Sequence, residues 1–372
     1  MRVALDVSAV PATPAGAGRY VVEIAKRLAT ADTELELVAR TGDEARWREW
    51  SPSATVLGLV PAPRPARLLY EATALGRNAR VSADLWHGPH YTMPRRRVRP
   101  TVVTICDMTF FTNPEWHEKS KVFFFQRAIR YSARHADALI SISETTTALV
   151  HELLAPTVPI TTIPLGVNLE RFGADATNDD ARLRAAGLPT DRPYFFFLGT
   201  FEPRKGLDLL LDAFGEVAAT NSDVELWLGG QSGWGTSGVA ATLETHPFKD
   251  RIRRLGYVDD SLVPALMRQS QAVCYPSRGE GFGLPVLEAL ACGAEVLTTA
   301  GTVMEEVAGQ SARLVPVGDA PALAAGLLQS LELDAAMRAD RSRRAQARAS
   351  TFTWERTAKQ HRELYASVLA GR

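Results

Sequence analysis

The sequence has few cysteines. Its 372 residues include three, Cys106, Cys274 and Cys292, which lie far apart and are odd in number. This set excludes a disulfide framework and a cysteine-rich metal cluster. It is typical of a protein that works in a reducing compartment, so we expect a cytoplasmic protein.

An excess of charge and a long apolar run are also missing. The 42 basic and 42 acidic side chains give a formal net charge of zero, so we expect no nucleic-acid partner. No apolar run approaches the roughly 20 residues of a membrane span. Residues 1–6 have the pattern of a β-strand rather than that of a signal peptide.

Short apolar segments and amphipathic helical segments alternate along the whole chain. This alternation predicts an α/β protein with parallel sheets. The length, and the proline, glycine and polar residues gathered around 164–191, predict two doubly wound domains of similar size. Strands are expected at 2–7, 35–39, 84–87, 101–106, 138–143, 194–199, 224–228, 254–258, 272–275, 295–298 and 312–316.

Two glutamates stand in an unusual run. Residues 276–293 read Pro-Ser-Arg-Gly-Glu-Gly-Phe-Gly-Leu-Pro-Val-Leu-Glu-Ala-Leu-Ala-Cys-Gly. Glu280 lies in a glycine-rich loop after a strand, and Glu288 lies about one turn into the expected helix. Pro285 suits the first turn of that helix, and Gly293 suits its C-terminal cap. Because open α/β sheets bind ligands at the carboxyl ends of their strands, a ligand site is expected here.

This run closely resembles the E-x7-E signature of retaining nucleotide-sugar glycosyltransferases with the GT-B fold, family 4 (glycosyl transferases group 1). The resemblance implies two Rossmann-like domains facing a cleft. Residues 1–170 would bind the acceptor, 171–352 would bind the donor, and a helix at 353–372 would cross back onto the first domain.

The resemblance also implies roles for individual residues. Glu288 would accept hydrogen bonds from the ribose, and Glu280 would contact the hexose. The remaining members of the donor set in this loop are Gly281, Phe282, Gly283 and Leu284, and the backbone N–H groups of the first three would face the sugar.

A basic pair, Arg204 and Lys205, stands between an apolar strand and a helix that begins near Leu207. Two cations beside a helix N-terminus suit a diphosphate. By resemblance, the pair binds the diphosphate and stabilises the leaving group. The resemblance places base recognition at Tyr257 and Val258, without identifying the base.

Gly16 and Gly18 follow the first strand. As a dinucleotide fingerprint this run is incomplete, because Val21 stands where a third small residue is needed. By resemblance, both glycines lie at the donor diphosphate and the acceptor.

Cys106 and Asp107 occupy a motif that usually reads His-Asp in the family. Asp107 joins Arg204, Lys205 and Glu280 in the expected catalytic set. A thiol cannot replace an imidazole in proton transfer near neutral pH. Either the family histidine only positions the sugar, or His87 or His117 compensates for Cys106 at the acceptor.

The chain contains no Asp-x-Asp motif, with which GT-A transferases hold a divalent metal on the diphosphate. We therefore expect transfer without a metal or other cofactor, and the resemblance implies retention of anomeric configuration. Residues 18–20 and 114–117 look most like bacterial mannosyltransferase members. This favours GDP-mannose as donor, with a glycan, glycolipid or small molecule as acceptor.

The segment 119–134 has an apolar face (Val122, Phe125 and Ile129) and a basic face (Arg127, Arg130 and Arg134), and residues 94–99 add a basic loop. With a lipid-linked acceptor, this domain would contact anionic lipid at the inner face of the plasma membrane. The alternative is a core helix with a solvated basic face.

Three other functions remain open at this point. GT-B folds also house nucleotide-sugar 2-epimerases. A NAD-dependent oxidoreductase is disfavoured by the incomplete glycine fingerprint. A two-lobed sugar-binding protein without catalysis is disfavoured by the missing export signal.

Overall fold

The chain divides into two compact units. A computed structural model describes residues 1–173, 176–188, 191–231, 233 and 237–371. One unit joins Met1–Gly166 to Thr353–Arg372, and the other is Val167–Phe352. The boundary after Gly166 lies a few residues before the one expected at 170. The C-terminal helix belongs to the first unit.

The first unit is built on a parallel sheet that has, among the described residues, seven strands in the order β3-β2-β1-β4-β5-β6-β7. These strands are β1 Arg2–Asp6, β2 Glu34–Arg40, β3 Thr55–Val60, β4 Leu85–Gly88, β5 Thr101–Ile105, β6 Ala138–Ser141 and β7 Ile160–Thr162. The α-helices are Ala17–Leu28, Glu44–Trp50, Arg64–Thr73, Thr109–Thr112, Lys119–His135, Glu144–Leu154 and Trp354–Ala370, with short 3₁₀ helices at Leu75–Arg77 and Pro114–Trp116.

The second unit repeats the architecture with a parallel sheet that has, in the described part, six strands in the order β10-β9-β8-β11-β12-β13. Its strands are β8 Tyr194–Leu198, β9 Glu225–Gly229, β10 Ile252–Gly256, β11 Ala272–Tyr275, β12 Val296–Thr299 and β13 Arg313–Val315. The α-helices are Leu169–Phe172, Asp179–Ala185, Leu207–Thr220, Ser237–Thr245, Val263–Gln269, Leu284–Ala291, Val303–Ala308, Ala320–Leu331 and Ala335–Ala349, with 3₁₀ helices at Pro203–Lys205, Lys249–Arg251 and Gly309–Ser311.

The expected α/β class with two doubly wound sheets is confirmed. Central strands read as continuous apolar runs, as in Tyr194–Leu198, because helices cover both faces of a parallel sheet. The sequence patterns missed Thr55–Val60, a partly exposed edge strand, and Ile160–Thr162, which has three residues. They also placed β10 too late, so Tyr257 and Val258 follow the strand. No helix among the described residues is both long and apolar enough to cross a membrane.

A buried polar network holds the C-terminal helix in the first unit. His87 Nδ1 lies 2.7 Å from the Tyr365 hydroxyl, and His87 Nε2 lies 2.8 Å from Thr104 Oγ1. The Tyr20 hydroxyl lies 2.9 Å from Thr104 Oγ1 and 2.8 Å from His361 Nε2, and so connects the two. All five residues are fully or almost fully buried. His87 was expected near the acceptor, but both of its ring nitrogens are engaged inside the fold, so its position gives it a structural role.

The two buried histidines should make the first unit sensitive to acid. Burial lowers the pKa of His361 from its ordinary 6.5 to about 4, and burial and the nearby His361 lower the pKa of His87. Below pH 6.5 these two histidines therefore bind protons in the unfolded chain but not in the folded chain. Stability present above pH 6.5 is lost as the pH falls towards 4, by about 3 kcal/mol for His361 alone.

Urea unfolding of the first unit between pH 7.5 and 4.5 checks this prediction. His361→Gln removes the titrating group. The slope of the unfolding free energy against pH should therefore decrease by the contribution of about one bound proton. The exposed His151 serves as control, and His151→Gln should keep the wild-type slope. An unchanged slope in His361→Gln would show that this buried imidazole is not the acid-sensitive group.

Candidate active site

Two neighbouring strands of the second unit, β8 and β11, end at the same edge of the sheet. Their following loops, 199–206 and 276–283, contact each other through the backbone. The Arg278 N–H donates to the Arg204 carbonyl at 2.7 Å, and Ser277 Oγ donates to the same oxygen at 2.9 Å. Segments separated by about 75 residues in sequence are thereby fixed side by side.

Gly206 makes this contact possible. Its φ is +67°, a left-handed conformation that L side chains rarely adopt. A Cβ at this position would lie 2.1 Å from the Pro276 carbonyl oxygen. Glycine is therefore required both by the turn and by the close approach of the second loop.

We expect Gly206→Ala to lower the free energy of unfolding by more than about 3 kcal/mol, since it combines backbone strain with an atomic overlap. Gly187 is a matched control, because its φ is +73° and no atom lies within 4 Å of a Cβ built there. Gly187→Ala should cost about 1 kcal/mol. Denaturant unfolding measures both variants, and equal losses would contradict the proposed contact between the loops.

The two loops bring the predicted charged residues together. Arg204 Nη1 lies 2.6 Å from Glu280 Oε2, and Lys205 Nζ donates to Glu280 Oε1. Lys205 Nζ also donates to the Tyr275 hydroxyl, and Ser277 Oγ lies 3.0 Å from Glu280 Oε1. The Lys205 and Glu280 side chains are only 10% and 11% exposed, so solvent screens this cluster weakly.

The cluster shifts the ionisation of its members. Burial alone would raise the pKa of Glu280, but Lys205 and then Arg204 lower it to about 2. Burial lowers the pKa of Lys205, although Glu280 opposes that effect. For Arg204, Glu280 and Glu202 outweigh burial and raise the pKa. Glu280 is thus a carboxylate at neutral pH, and the two cations beside it are balanced by Glu280 and Glu202.

Sequence patterns alone missed three partners in this cluster. Glu202 accepts from Arg204 Nε at 2.8 Å, and the Tyr275 hydroxyl donates to Glu280 Oε1 at 3.1 Å. Ser277 also anchors the loop to the neighbouring strand β12, because its carbonyl oxygen accepts a hydrogen bond from Thr299 Oγ1 at 2.7 Å. Their positions in the sequence could have indicated them, because Tyr275 is the last residue of β11 and Ser277 lies two residues later.

The second half of the glutamate run forms the expected short helix, Leu284–Ala291. Gly283 precedes it with φ +92°, and Gly293 follows it with φ +71°. Glu288 lies inside this helix and is 5% exposed. Phe282 is 3% exposed, so its ring is packed into the protein, and a ligand would meet its backbone rather than its side chain.

Residues proposed for the base lie after β10. Tyr257 is 62% exposed and Val258 is buried. Gly256 has φ +65°, and its carbonyl oxygen accepts from the Gly230 N–H at 2.7 Å. A Cβ on Gly230 would lie 1.9 Å from the Gly199 carbonyl oxygen, so the ends of β8, β9 and β10 pack backbone to backbone.

Among the catalytic and acceptor residues expected in the first unit, Asp107 and His117 come together, because both contact the Thr109 hydroxyl. Asp107 Oδ1 accepts from Thr109 Oγ1 at 3.0 Å, and His117 Nε2 lies 2.9 Å from the same hydroxyl. Cys106 is buried, and burial and then Asp107 raise the pKa of its thiol. Cys106 therefore remains protonated and donates a weak hydrogen bond to the Pro89 carbonyl.

The two glycines after β1 lie at the start of the helix Ala17–Leu28. Gly16, with φ +49°, is its N-cap residue. A Cβ on Gly18 would lie 3.2 Å from Pro14 Cβ, so the loop packs closely there.

Comparison with known proteins places both halves of the chain. Residues 179–348 match the model of the glycosyl transferases group 1, and residues 14–171 match that of glycosyltransferase family 4. An O-antigen chain mannosyltransferase B of Escherichia coli is 31% identical over 91% of this chain and 93% of its own length.

Solved structures share the fold over the whole chain. A sucrose-phosphate synthase from Thermosynechococcus elongatus superposes with a TM-score of 0.81 at 22% identity, covering 100% of both chains. Anabaena HepE in complex with UDP-glucose superposes with a TM-score of 0.77 at 20% identity, covering 99% of this chain and 100% of its own. The chain belongs to the glycosyl transferases group 1, family 4, and is a glycosyltransferase with the GT-B fold.

Proposed function

We propose that this glycosyltransferase moves a hexose, with GDP-mannose favoured, from a nucleotide diphosphate sugar to a glycan or glycolipid with retention of configuration. The observation that carries the proposal is the buried cluster of Arg204, Lys205 and Glu280 at the carboxyl ends of β8 and β11. The similarity to an O-antigen mannosyltransferase along 93% of its length supports mannose as the sugar.

Charge balance indicates how the donor would enter this cluster. Arg204 and Lys205 are neutralised by Glu280 and Glu202 when no donor is bound. A diphosphate supplies its own negative charges to the two cations. Glu280 is then released to accept hydrogen bonds from hexose hydroxyls, and Glu288 accepts hydrogen bonds from the ribose.

The chemistry that follows needs no covalent enzyme intermediate. The bond from the anomeric carbon to the diphosphate oxygen breaks as the bond to the acceptor oxygen forms on the same face. The acceptor proton passes to the departing diphosphate, whose charge Arg204 and Lys205 stabilise. Two side-chain cations take the place of a divalent metal at the leaving group, so transfer is expected to proceed with chelator present.

A thermal-shift panel tests the donor assignment. GDP-, UDP-, ADP- and dTDP-sugars are compared at equal concentrations, each with and without EDTA. A ligand at about 100 times its Kd stabilises by about 2.7 kcal/mol, which gives a clear shift. GDP-mannose should shift the midpoint most. A larger shift with another nucleotide sugar would replace GDP-mannose, and no shift with any of them would overturn the donor site.

We further propose that the first unit touches anionic lipid through the helix Lys119–His135. A groove of about 210 Å³ beside this helix is lined by apolar side chains that include Phe123, which is 65% exposed. Arg127 and Arg95 also line the groove. Their guanidinium carbons stand 5.3 Å from the Phe123 ring and 5.2 Å from the Tyr131 ring. Exposed aromatic carbon beside arginine is the composition of an interfacial membrane contact.

Vesicle co-sedimentation tests this contact. The protein should bind phosphatidylglycerol vesicles at about 0.05 M salt and dissociate largely at about 0.5 M, because salt screens the attraction. Arg127→Glu should weaken binding several-fold, whereas Arg343→Glu, on an exposed helix of the other unit, should not. Absence of binding at low salt, or equal binding by Arg127→Glu, would remove the proposal.

A further inference from the structure

A small cavity with a mixed polar and apolar lining lies in the first unit at the carboxyl ends of β1 and β4. Its volume is about 50 Å³, and its polar lining includes Asp6, Ser8, Glu71 and His90. It has room for one or two oxygen atoms with their hydrogens, but not for a whole sugar ring. Its ligand would therefore be a hydroxyl or hydroxymethyl group that projects from a larger molecule.

His90 supplies this cavity with an imidazole. Its ring packs against the rings of Tyr91, at 4.5 Å, and Phe125, at 5.7 Å. Within the described part of the chain, neither of its ring nitrogens has a hydrogen-bond partner. Burial, against the opposing charge of Asp107, lowers the pKa of His90 to about 4. At neutral pH the ring is thus uncharged, with one nitrogen that donates and one that accepts.

The backbone around His90 is held in a strained turn. Tyr91 has φ +65° and is 2% exposed, a conformation that costs a non-glycine residue about 1–3 kcal/mol. Its N–H donates to the Thr104 carbonyl at 2.9 Å, and its carbonyl accepts from Ser132 Oγ at 2.9 Å. A Cβ on Gly88 would lie 2.0 Å from the Thr92 carbonyl oxygen. These contacts fix the position of the imidazole.

Two interacting carboxyl groups, those of Asp6 and Glu71, also line the cavity. Ser8 N–H donates to Asp6 Oδ1 at 3.0 Å, and Ser8 Oγ donates to Glu71 Oε1 at 3.4 Å. Burial and then the charge of Asp6 raise the pKa of Glu71 to about 7, and burial raises that of Asp6. The pair therefore holds a proton near neutral pH. Arg67 Nε lies 3.5 Å from Glu71 Oε1, which is an ion-pair distance. The same Nε is buried and has no hydrogen-bond partner among the described residues.

We propose that this cavity is a subsite of the acceptor, in which His90 and Glu71 hydrogen-bond a hydroxyl group of the sugar that is to be extended. The inference rests on the proposed hexose transfer and names residues for its acceptor half. Both donors and acceptors face the cavity, which suits a hydroxyl group, because a hydroxyl group both donates and accepts. His90 and Glu71 thus determine which sugar is extended rather than which donor is bound.

Steady-state kinetics with GDP-mannose and a panel of octyl hexosides tests the subsite. With the best hexoside, His90→Ala should raise the acceptor KM about tenfold or more, as expected for one lost buried hydrogen bond. The donor KM should stay within about twofold, since the donor contacts are untouched. His90→Gln, which keeps a polar group there, should recover part of the loss, and Glu71→Gln should raise the acceptor KM independently. His151→Ala, at an exposed histidine of the same unit, is the control.

The outcomes separate this inference from the proposed function. An acceptor KM within about twofold of wild type in folded His90→Ala and Glu71→Gln would overturn the subsite. Donor binding without transfer to any hexoside would also overturn it, while leaving the donor half intact. Failure of the wild type to bind any nucleotide sugar would overturn the proposed function instead.

Discussion

Lys205→Ala should lower kcat for hexose transfer by about 10²–10³-fold, the usual effect of removing one charge-stabilising donor from an active site. Lys205 Nζ is buried against Glu280 and the Tyr275 hydroxyl, so its charge acts in surroundings that water screens weakly. The leaving diphosphate would lose half of its cationic support. Initial rates with saturating donor measure the effect.

Lys249→Ala is the matched control for this experiment. Lys249 is an exposed lysine of the same unit, in the short 3₁₀ helix Lys249–Arg251. It should retain wild-type turnover. Lys205→Ala with more than about a third of wild-type kcat would contradict the assignment of the leaving-group site to this cluster.

Glu280→Gln should separate stability, nucleotide binding and turnover. It removes the charge that balances Lys205 and Arg204, so the ligand-free protein should lose about 3 kcal/mol of stability through unpaired buried cations. GDP restores negative charge beside them. The thermal shift caused by GDP should therefore be larger in Glu280→Gln than in the wild type, although turnover falls by about 10²-fold.

The comparison variant is Glu216→Gln, at an exposed position on the helix Leu207–Thr220. It should leave melting temperature, GDP shift and turnover unchanged. A smaller GDP shift in Glu280→Gln than in the wild type would contradict the role of Glu280 as counter-charge to the two cations in the empty site.

Much of the cluster proposed as the donor site could be predicted, because its charged residues are local in sequence. Arg204 and Lys205 lie in the loop after one strand, and Glu280 lies in the loop after another. Parallel strands share a carboxyl edge, so the two segments were expected on one side of the sheet. The pattern could not show that Glu280 pairs with both cations, because that depends on the approach of the two loops at Gly206.

The surroundings of the residues proposed for the acceptor were harder to predict, because they are not local in sequence. His87 follows the same rule of strand ends, yet its ring is occupied by Tyr365, which is 278 residues away. No periodic pattern connects β4 to a helix at the end of the chain. His90 was overlooked because it belongs to no motif, and its environment depends on a turn with an unusual φ at Tyr91.

The anomeric configuration of the product tests the central claim most directly. Wild-type protein, GDP-mannose and the preferred octyl hexoside are incubated with EDTA, and the product is analysed by NMR. Transfer from the α-linked donor should give an α-mannoside, formed at the same rate with and without chelator. A β-linked product, or transfer that stops when metal is removed, would contradict a retaining reaction supported by Arg204 and Lys205.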